Sequence, residues 1–596
     1  MEAQGQTITP GTALARVPER LAETLTVSEL ILEYLKAEGV GAVYTLPGGP
    51  LTPLLDALYH EPAIRTIAAR HEAGAAFMAL GHARVSGRLG VCCVTTGPGS
   101  TNALTGVAAA QADSLPVLAL TAQVATVTFG RGSIQDSYHS LNIVEMFRSV
   151  TKMSAMLAHP RSLANTLRQA LRAAMTGRRG AVHLNLPTDF MKQKVPREFQ
   201  FPHDYRPITR TFDREAVKLA AEYLLSAGRP AILAGNGVNL ASARQELLEL
   251  AELLEIPVAT TPKAKGAFPE CHALALRVFG TASSPWAEEY LLSGKVDVLF
   301  VIGSSLHESS TQGWEARLMP SQALIQLDID PTMLGRNYPV TVPMSGEIKT
   351  TLRELLFHLR RLAAGEHPMP AGRAAEFALW KEGSSPVLDE KAMISDIAPL
   401  KPQRLMHELN LALPENAIIF IDSGNNTLWS THYLNATGKN SFVHNWGDFG
   451  AMGFGVAAPI GGKVAAPDRP VVAIVGDGAF AMLGMEVSTA VTHGVPVVWI
   501  VLNDSKLNAV YHGQKLLYEG RTIGCDFARM DAAKIAEGLG ALGRRVTKPE
   551  EVGPALTEAL ASGRPAVLDV WIDAEEVPPI HSRIRSIQKF FAGMAS

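Results

Sequence analysis

The chain has 596 residues, of which 47% are hydrophobic and 19% charged, and its formal net charge is −3. This length exceeds one hydrophobic core, so three domains of ordinary size are expected. The near-neutral charge excludes the basic surface of a nucleic-acid-binding protein, and no apolar stretch is long enough to span a membrane. Four scattered or adjacent cysteines, and an N-terminus without an apolar signal segment, indicate a cytoplasmic protein.

The first domain is predicted over residues 25–195, after an N-terminal arm at 1–24. A capping box at 26–29 opens an amphipathic helix. Apolar runs then predict strands at 42–46, 64–68, 90–96 and 117–121, with helical segments between them. This alternation of strands and helices predicts a parallel sheet covered by helices on both faces.

Two more domains of the same kind are predicted, a central one at 213–364 and a third at 401–574. The aperiodic segment 199–211 and the Pro-, Gly- and charge-rich segment 365–400 are interpreted as linkers, and 575–596 as a tail. Their predicted strands lie at 230–234, 257–261, 296–302, 323–328, 417–422, 470–475, 495–502 and 566–572. The predicted fold class is therefore α/β, with three doubly wound parallel-sheet domains.

Two apolar strands of the third domain end in side chains that carry oxygen ligands. The first leads into Gly476-Asp477-Gly478 and the second into Asn503-Asp504. Alone, a Gly-Asp-Gly turn is as readily a tight turn with a capping aspartate. Open α/β sheets, however, bind ligands where their strands end, and Mg²⁺ takes one or two carboxylates together with phosphate oxygens. The pair predicts a divalent cation that holds a diphosphate at a helix N-terminus.

Two features of the first domain also suggest a ligand. Glu72 opens a helix of small residues at 73–76. The usual explanation of such a glutamate is the helix dipole, but here it has no polar neighbours and must find a partner if buried. The glycine loop 97–102 follows a strand and opens a helix, and although about half of such loops are only turns, this position can bind a ligand.

These features, in this order and spacing, resemble the thiamine-diphosphate enzymes of the pyruvate oxidase and acetolactate synthase group, and in particular the catalytic subunit of acetolactate synthase. The resemblance covers about 25–573. The matching stretches are YTLPGG (44–49), RHEAGAAFMALGHARVSG (70–87), TTGPGSTNALTG (95–106), GRGSIQD (130–136), TTPKAKGAFPE (260–270), GDFGAMGFGVAAPIG (447–461), GDG (476–478) and QKLLYEGR (514–521). So many matches across three domains are far more specific than one motif.

The resemblance implies thiamine diphosphate and Mg²⁺ as cofactors. Glu72 would bond N1′ of the aminopyrimidine, Gln135 would face the reacting carbon, and the main-chain carbonyl of Lys506 would join Asp477 and Asp504 as metal ligands. The implied cofactor-binding residues are Gly49, Glu72, Pro98, Asn102, Gly424, Asn425, Asn426, Gly450, Met452, Gly476, Asp477, Gly478, Ala479 and Asp504. In the family, different subunits supply the two halves of each site, which implies a homodimer or homotetramer with active sites at the subunit interface.

The chain departs from the family at several positions. Asp504 stands where an asparagine is usual, and Gly513 and Ile134 replace a tryptophan and a phenylalanine of the acceptor pocket, which implies more room for the acceptor. The segment 303–308 lacks the arginine that helps hold FAD in the family, so FAD is doubtful. His512 is a titratable candidate for proton transfer, with simple pocket lining an equal alternative.

The leading functional hypothesis is a thiamine-diphosphate- and Mg²⁺-dependent 2-keto acid decarboxylase and carboligase. Its small-molecule partners would be a 2-keto acid and a carbonyl acceptor larger than pyruvate. One alternative is a lyase on the same cofactor, such as a 2-hydroxyacyl-CoA lyase, because the tail alternates basic Arg583, Arg585 and Lys589 with apolar residues. A non-catalytic thiamine-diphosphate-binding homologue is the other, and the presence of Glu72, Asp477 and Asp504 argues against it.

Overall fold

The computed structural model describes residues 24–129, 141–206, 210–364, 369–445, 447–581 and 584–585. It contains three six-stranded sheets, and every strand pair within them is parallel. The predicted α/β fold class with three parallel-sheet domains is confirmed, while the domain boundaries stay predictions. No helix in the described ranges is both long and apolar enough to cross a membrane.

The first sheet has the strand order β3-β2-β4-β5-β7-β6, and β1 pairs with β8 beside it. Strands β1 to β8 are Thr24–Thr26, Ala42–Leu46, Arg65–Ala68, Gly90–Val94, Val117–Gln123, Met153–Met156, Val182–Pro187 and Lys194–Pro196. Helices α1 to α8 are Val27–Ala37, Thr52–Tyr59, Glu72–Ser86, Pro98–Ala112, Ile143–Arg148, Leu163–Met175, Thr188–Met191 and Pro202–Tyr205. The predicted capping box forms at the start of α1, between Thr26 and Glu29.

The central sheet has the order β11-β10-β9-β12-β13-β14, which is the order of doubly wound nucleotide-binding folds. Strands β9 to β14 are Ala231–Ala234, Val258–Thr260, Ala275–Val278, Val298–Ile302, Ala323–Asp328 and Val342–Ser345. Helices α9 to α14 are Arg214–Ser226, Asn236–Leu240, Arg244–Leu254, Pro285–Leu291, Ile348–Ala364 and Arg373–Lys381. Helix α14 lies within the segment interpreted as a linker, yet its Phe377 is buried in the core of the central domain.

The third sheet has the order β16-β15-β17-β18-β20-β19, which repeats the pattern of the first sheet. Strands β15 to β20 are Ile418–Ile421, Ser441–His444, Val471–Gly476, Val498–Asn503, Leu542–Val546 and Ala566–Trp571. Helices α15 to α22 are Pro402–Ala412, Asn425–Tyr433, Phe454–Ala465, Asp477–Leu483, Glu486–Thr492, Asn508–Leu517, Ala532–Gly538 and Pro549–Ala561. The central strands β17 and β18 are buried along almost their whole length, as the apolar runs predict for strands covered on both faces.

The first and third domains share one hydrophobic core, in which α3 packs against α17. The two backbones lie so close that a Cβ at Gly81 would be 2.0 Å from the carbonyl oxygen of Ala458. A Cβ at Gly461 would be 1.8 Å from the carbonyl oxygen of Met78. Only glycine permits this approach, so the small residues of both helices set the spacing between the two domains.

We expect Gly461→Ala to destabilise the fold by about 2–3 kcal/mol, because the added methyl group overpacks the contact between α3 and α17. The measurement is chemical unfolding followed by circular dichroism.

Gly538→Ala is the matched control, because Gly538 is also helical but a Cβ there meets nothing within 4 Å. It should leave stability unchanged or raise it by up to about 1 kcal/mol. Equal effects of the two substitutions would contradict the close-contact explanation.

Candidate active site

Several candidate site residues lie where the first and third sheets change winding direction, while Glu72 and Asp504 follow the neighbouring strands β3 and β18. This switch falls between β2 and β4 in the first sheet and between β15 and β17 in the third. Open α/β sheets bind ligands in the crevice at such a switch point, beyond the carboxyl ends of the strands. Gly49 and Pro98 follow the first pair of strands, and Gly424 and Asp477 follow the second.

Asp477 is the first residue of α18 and is buried, with 2% of its surface exposed. Its Oδ2 accepts hydrogen bonds from the backbone N–H groups of Asp504 (3.1 Å) and Ser505 (2.6 Å). Its Oδ1 accepts one from the N–H of Gly478 at 2.8 Å. Asp477 therefore fixes the start of α18 against the end of β18, which brings the two predicted ligand positions together.

Asp504 is also buried, and its two oxygens have different partners. Oδ1 accepts the backbone N–H of Lys506 at 3.1 Å, and Oδ2 accepts the side-chain amide of Asn508 at 2.6 Å. The Lys506 side chain turns away to pair with Asp526 and lies over the Tyr511 ring. The main chain at Lys506 is thus held beside Asp504, while its charge stays near the surface.

The electrostatics of this pair suit a divalent cation. Burial, and then the nearby carboxylate of Asp504, raise the pKa of Asp477 to about 7. Burial raises the pKa of Asp504 to about 6. In the described part of the chain no three His, Cys, Asp or Glu residues gather at one point. A cation here must therefore complete its shell with main-chain oxygen, water or a bound anion, which is the ligand set that Mg²⁺ takes with a diphosphate.

Gly424, Asn425 and Asn426 form the other wall of this crevice. Gly424 has φ +126°, and the Asn426 Oδ1 lies 3.0 Å from where its Cβ would be and 3.7 Å from where that of Gly476 would be. The Asn426 amide donates to the carbonyls of Asp422 and Ile474. The buried Asn425 Oδ1 has no hydrogen-bond partner among the described residues. This unpartnered acceptor fits a ligand that brings a hydrogen-bond donor or a cation to this wall of the crevice.

Sequence reasoning missed Asp422, at the end of β15. It is completely buried, and its carboxylate accepts the backbone N–H groups of Ser423, Gly453 and Gly455 at 2.6–3.2 Å. Burial raises the pKa of Asp422 to about 7 despite these bonds. It therefore links the crevice wall to the start of α17. An acidic residue at the end of an apolar strand, as at Asp477, is the signal that could have found it.

Gly450 and Met452 lie in the segment just before α17, within reach of the same crevice. Gly450 has φ +68°, and its N–H donates to the carbonyl of Asn445 at 3.0 Å. The Met452 Cε lies 3.5 Å from the position of a Cβ on Gly478, and Ala479 is buried behind that turn. The structure thus gathers Met452 and the Gly476–Gly478 turn, which lie far closer in space than in sequence.

Glu72 lies at the centre of the candidate site residues of the first domain, here called the Glu72 half-site, and 8% of its surface is exposed. The crevice around Asp477 in the third domain is called the Asp477 half-site. Asn102 Nδ2 donates to Glu72 Oε2 at 3.0 Å, which supplies the partner that a buried carboxylate needs. A Cβ at Gly99 would lie 3.1 Å from Glu72 Oε1, so the glycine loop wraps closely around the carboxylate. Pro98, Asn102 and Gly49 are exposed in the single chain. This half-site therefore opens towards a surface.

Glu486 is a second acidic residue that sequence reasoning missed. It is completely buried in the third domain and accepts the backbone N–H groups of Arg70 and His71, and the hydroxyl of Thr489. Burial raises the pKa of Glu486. Its carboxylate thus holds the chain just before Glu72, and the signal was an acidic residue within the otherwise apolar and small stretch 485–490.

His512 is completely buried on α20, with Nδ1 3.1 Å from the Asn425 amide. Burial lowers its pKa, so the ring is neutral and Nδ1 accepts from Asn425. Its Nδ1 thus orients the Asn425 amide, while its buried Nε2 has no hydrogen-bond partner among the described residues. A Cβ at Gly513 would meet nothing within 4 Å, and the larger acceptor pocket expected at this position stays a prediction. Gln135 and Ile134 lie outside the described residues.

The Glu72 half-site and the Asp477 half-site lie in different domains of the chain. The hydrogen bonds of Glu72 and those of Asp477 and Asp504 stay within their own domains. Helices α3 and α17 pack against each other in the core that these domains share.

Three domain models that describe thiamine pyrophosphate enzymes match this chain. The N-terminal TPP binding domain matches residues 25–143, the central domain 217–355, and the C-terminal TPP binding domain 422–570. Together they cover more than half of the chain, and the two TPP binding domains contain the two half-sites. The chain belongs to the thiamine pyrophosphate enzymes.

The names of related proteins indicate which thiamine pyrophosphate enzymes this chain resembles. A probable acetolactate synthase large subunit from Methanocaldococcus jannaschii is 37% identical over 93% of each chain. An acetolactate synthase large subunit from Corynebacterium glutamicum is 32% identical over 97% of this chain and 92% of its own. The large subunit of acetolactate synthase isozyme 3 from Escherichia coli is 30% identical over 94% and 97%. The chain is an acetolactate synthase-like enzyme of this family, which confirms the resemblance predicted from the motifs.

The raised pKa values of the two aspartates predict how pH controls cation binding. The protein without a cation keeps protons on these carboxyls up to about pH 6 and about pH 7, and a divalent cation must displace them. Binding of Mg²⁺ with thiamine diphosphate should therefore tighten as pH rises through this window and level off above it. Calorimetric titration at a series of pH values is the measurement.

Asp504→Asn is the control for this pH dependence. It removes the charge that helps to raise the pKa of Asp477 but keeps an oxygen at position 504. Binding should persist and its pH midpoint should fall. An unchanged midpoint would show that Asp504 does not act on Asp477, whereas Asp504→Ala should weaken binding because the oxygen is lost.

Proposed function

We propose that this enzyme decarboxylates a 2-keto acid and joins the remaining acyl unit to a second carbonyl compound, to form an acyloin or a 2-hydroxy-3-keto acid. One observation carries the proposal. A buried glutamate after β3 and a pair of buried aspartates after β17 and β18 lie beyond the carboxyl ends of strands in two sheets of the same topology, in a chain whose three domains match thiamine pyrophosphate enzymes. The relatives are named as acetolactate synthase large subunits, which supports a carboligase reaction for this chain.

The residues at the crevice fit thiamine diphosphate and Mg²⁺. Asp477, Asp504 and the main-chain carbonyl of Lys506 would bind the cation, and Gly424–Asn426 with the N-terminus of α18 would hold the diphosphate. When bound, the cofactor supplies a nucleophilic carbon and an electron sink for decarboxylation. Glu72 would hold a proton at N1′ of the aminopyrimidine.

The remaining cofactor contacts would come from both half-sites. The main chain at Gly450 and the side chain of Met452 would support the pyrimidine. Pro98, Asn102 and Gly49, on the exposed face beside Glu72, would line its other side. Gln135 would face the reacting carbon, and His512 would orient Asn425 through its Nδ1.

Substrate choice is proposed to follow from the open position at Gly513. The space beside it would accept a carbonyl compound larger than pyruvate. The reaction needs no net electron transfer, so we propose that it runs without FAD. The names of the relatives favour this carboligase over a 2-hydroxyacyl-CoA lyase, and the buried Glu72 favours it over a non-catalytic homologue.

The purified protein should release CO₂ from pyruvate or a related 2-keto acid only with thiamine diphosphate and Mg²⁺, and with no flavin added. Products from a panel of aldehyde, keto acid and acyl-CoA acceptors, identified by mass spectrometry, would name the acceptor. Glu72→Gln should bind the cofactor yet lower kcat at least about 100-fold, because a glutamine cannot hold the proton that Glu72 would hold at N1′ of the aminopyrimidine. Absence of CO₂ release from every 2-keto acid would refute the proposal.

We further propose that two copies of the chain complete each other's sites. The support is that no hydrogen bond between the described side chains joins Glu72 to Asp477 or Asp504 within one chain, and that Gly49, Pro98 and Asn102 beside Glu72 are exposed. A homodimer, or a homotetramer built from two such dimers, would place the Glu72 half-site of one copy against the Asp477 half-site of another.

Co-expression of Glu72→Gln with Asp477→Ala, which removes the ligand oxygens at position 477, should test this arrangement. Each variant alone should be inactive. In a mixed dimer one site would carry both changes and the other neither, so random pairing should recover about a quarter of the parent activity. No recovery, with mixed dimers verified by differently tagged chains, would place the whole site within one chain.

A further inference from the structure

Among the described residues, Lys263 of the central domain is the side chain that forms ion pairs with both of the other domains. It follows β10 in the central domain, and its ammonium group pairs with both Asp113 and Asp448. Asp113 ends α4 in the first domain, the helix that begins at Pro98 and carries Asn102. Asp448 belongs to residues 447–453, here called the 447–453 loop, which lead into α17 in the third domain.

The central domain holds the same loop at a second place. His307, after β12, has its Nε2 3.2 Å from Asp448 Oδ1, and the Ser309 hydroxyl lies 3.1 Å from His307 Nδ1. A Cβ at Gly447 would lie 2.7 Å from the Ser309 hydroxyl oxygen. The loop is therefore packed against the central domain at adjacent residues, and Asp448 is the side chain that anchors it.

The electrostatics of the cluster favour the ion pair between Lys263 and Asp448, whereas burial raises the pKa of Asp113 despite the nearby Lys263. Burial opposes a charged lysine, yet the carboxylates of Asp113 and Asp448 raise the pKa of Lys263. Burial likewise opposes a charged Asp448, but Lys263 and then His307 hold the pKa of Asp448 below its usual value. Removing one carboxylate would still leave Lys263 with the other, so either single neutral substitution keeps the buried cation paired.

The conformation of the 447–453 loop needs outside support. Gly447, Gly450 and Gly453 have φ of +100°, +68° and +85°, so the segment is built from residues with many accessible conformations. In the middle of the loop the N–H of Gly450 donates to the Asn445 carbonyl and the Asn445 amide donates to the Ala451 carbonyl, and at its end the N–H of Gly453 donates to Asp422. Asp448 is the loop's charged contact with the rest of the molecule, and it immediately precedes the residues that approach the crevice.

We propose that Asp448 is a positioning residue, and that its ion pair with Lys263 fixes the 447–453 loop in the shape that Gly450 and Met452 need to support the bound cofactor. The inference rests on the proposed function for the cofactor's identity. The central domain thereby contributes to the active site without contributing a residue that touches the cofactor. Asp448 acts on Gly450 and Met452 through the backbone that joins them.

The test compares Asp448→Asn with Asp113→Asn. Each removes one carboxylate from Lys263 with almost no change in volume, but only the first releases the 447–453 loop. Amide hydrogen exchange, read by mass spectrometry on the cofactor-free protein, should rise at least about tenfold in this segment for Asp448→Asn. Asp113→Asn should leave exchange there unchanged, although both substitutions should lower the unfolding temperature.

The second measurement is calorimetric binding of thiamine diphosphate with Mg²⁺. Asp448→Asn should weaken the affinity about tenfold and Asp113→Asn less than about twofold, since only the former acts on the loop. Equal exchange and equal affinity in the two variants would overturn the inference. Failure of the parent protein to bind thiamine diphosphate would instead overturn the proposed function, and the exchange result does not depend on it.

Discussion

The contact between α3 and α17 is the constraint on which the site depends. Glycines at 81 and 461 let the two helices approach until a methyl group would strike backbone oxygen. That approach merges the cores of the first and third domains into one. Since α3 begins at Glu72 and α17 follows the 447–453 loop, the distance between these helices also sets where both half-sites stand.

Buried acidic residues then fix each half-site to its surroundings. Glu486 crosses from the third domain to hold the backbone at Arg70 and His71, directly before Glu72. Asp422 holds the turn at Gly453. A buried carboxylate that accepts several N–H groups costs desolvation but fixes its donors in one geometry, and preorganisation of this kind is what catalysis requires. Each half-site thus combines the acid or acids proposed to bind the cofactor or its cation with another acid that holds the backbone beside them.

The sequence predicts those parts of the molecule whose reason is local. Strands such as β17 are apolar throughout because both of their faces are covered, so they can be predicted from the sequence. The edge strands β16 and β19 are not predicted. Strand β19 is partly exposed and contains two arginines, so it lacks the apolar pattern of a buried strand. Asp477 and Asp504 stand out because a glycine turn or a strand end marks them. Glu486 and Asp448 do not, because the backbone and the lysine that explain them are distant in sequence.

If Asp504 binds the cation as proposed, it changes the charge balance of the site. With an asparagine at this position, a bound Mg²⁺ would keep one positive charge beyond Asp477 for the diphosphate. With two carboxylates, that charge is fully neutralised by the protein, and attraction of the anion falls to the N-termini of α16 and α18 and to main-chain N–H groups. Burial already raises the pKa values of both aspartates, so the site without ligands relieves its repulsion by holding protons. The cation and the diphosphate are therefore expected to bind as a pair rather than one after the other, because the cation is needed to displace those protons and the anion to complete its shell.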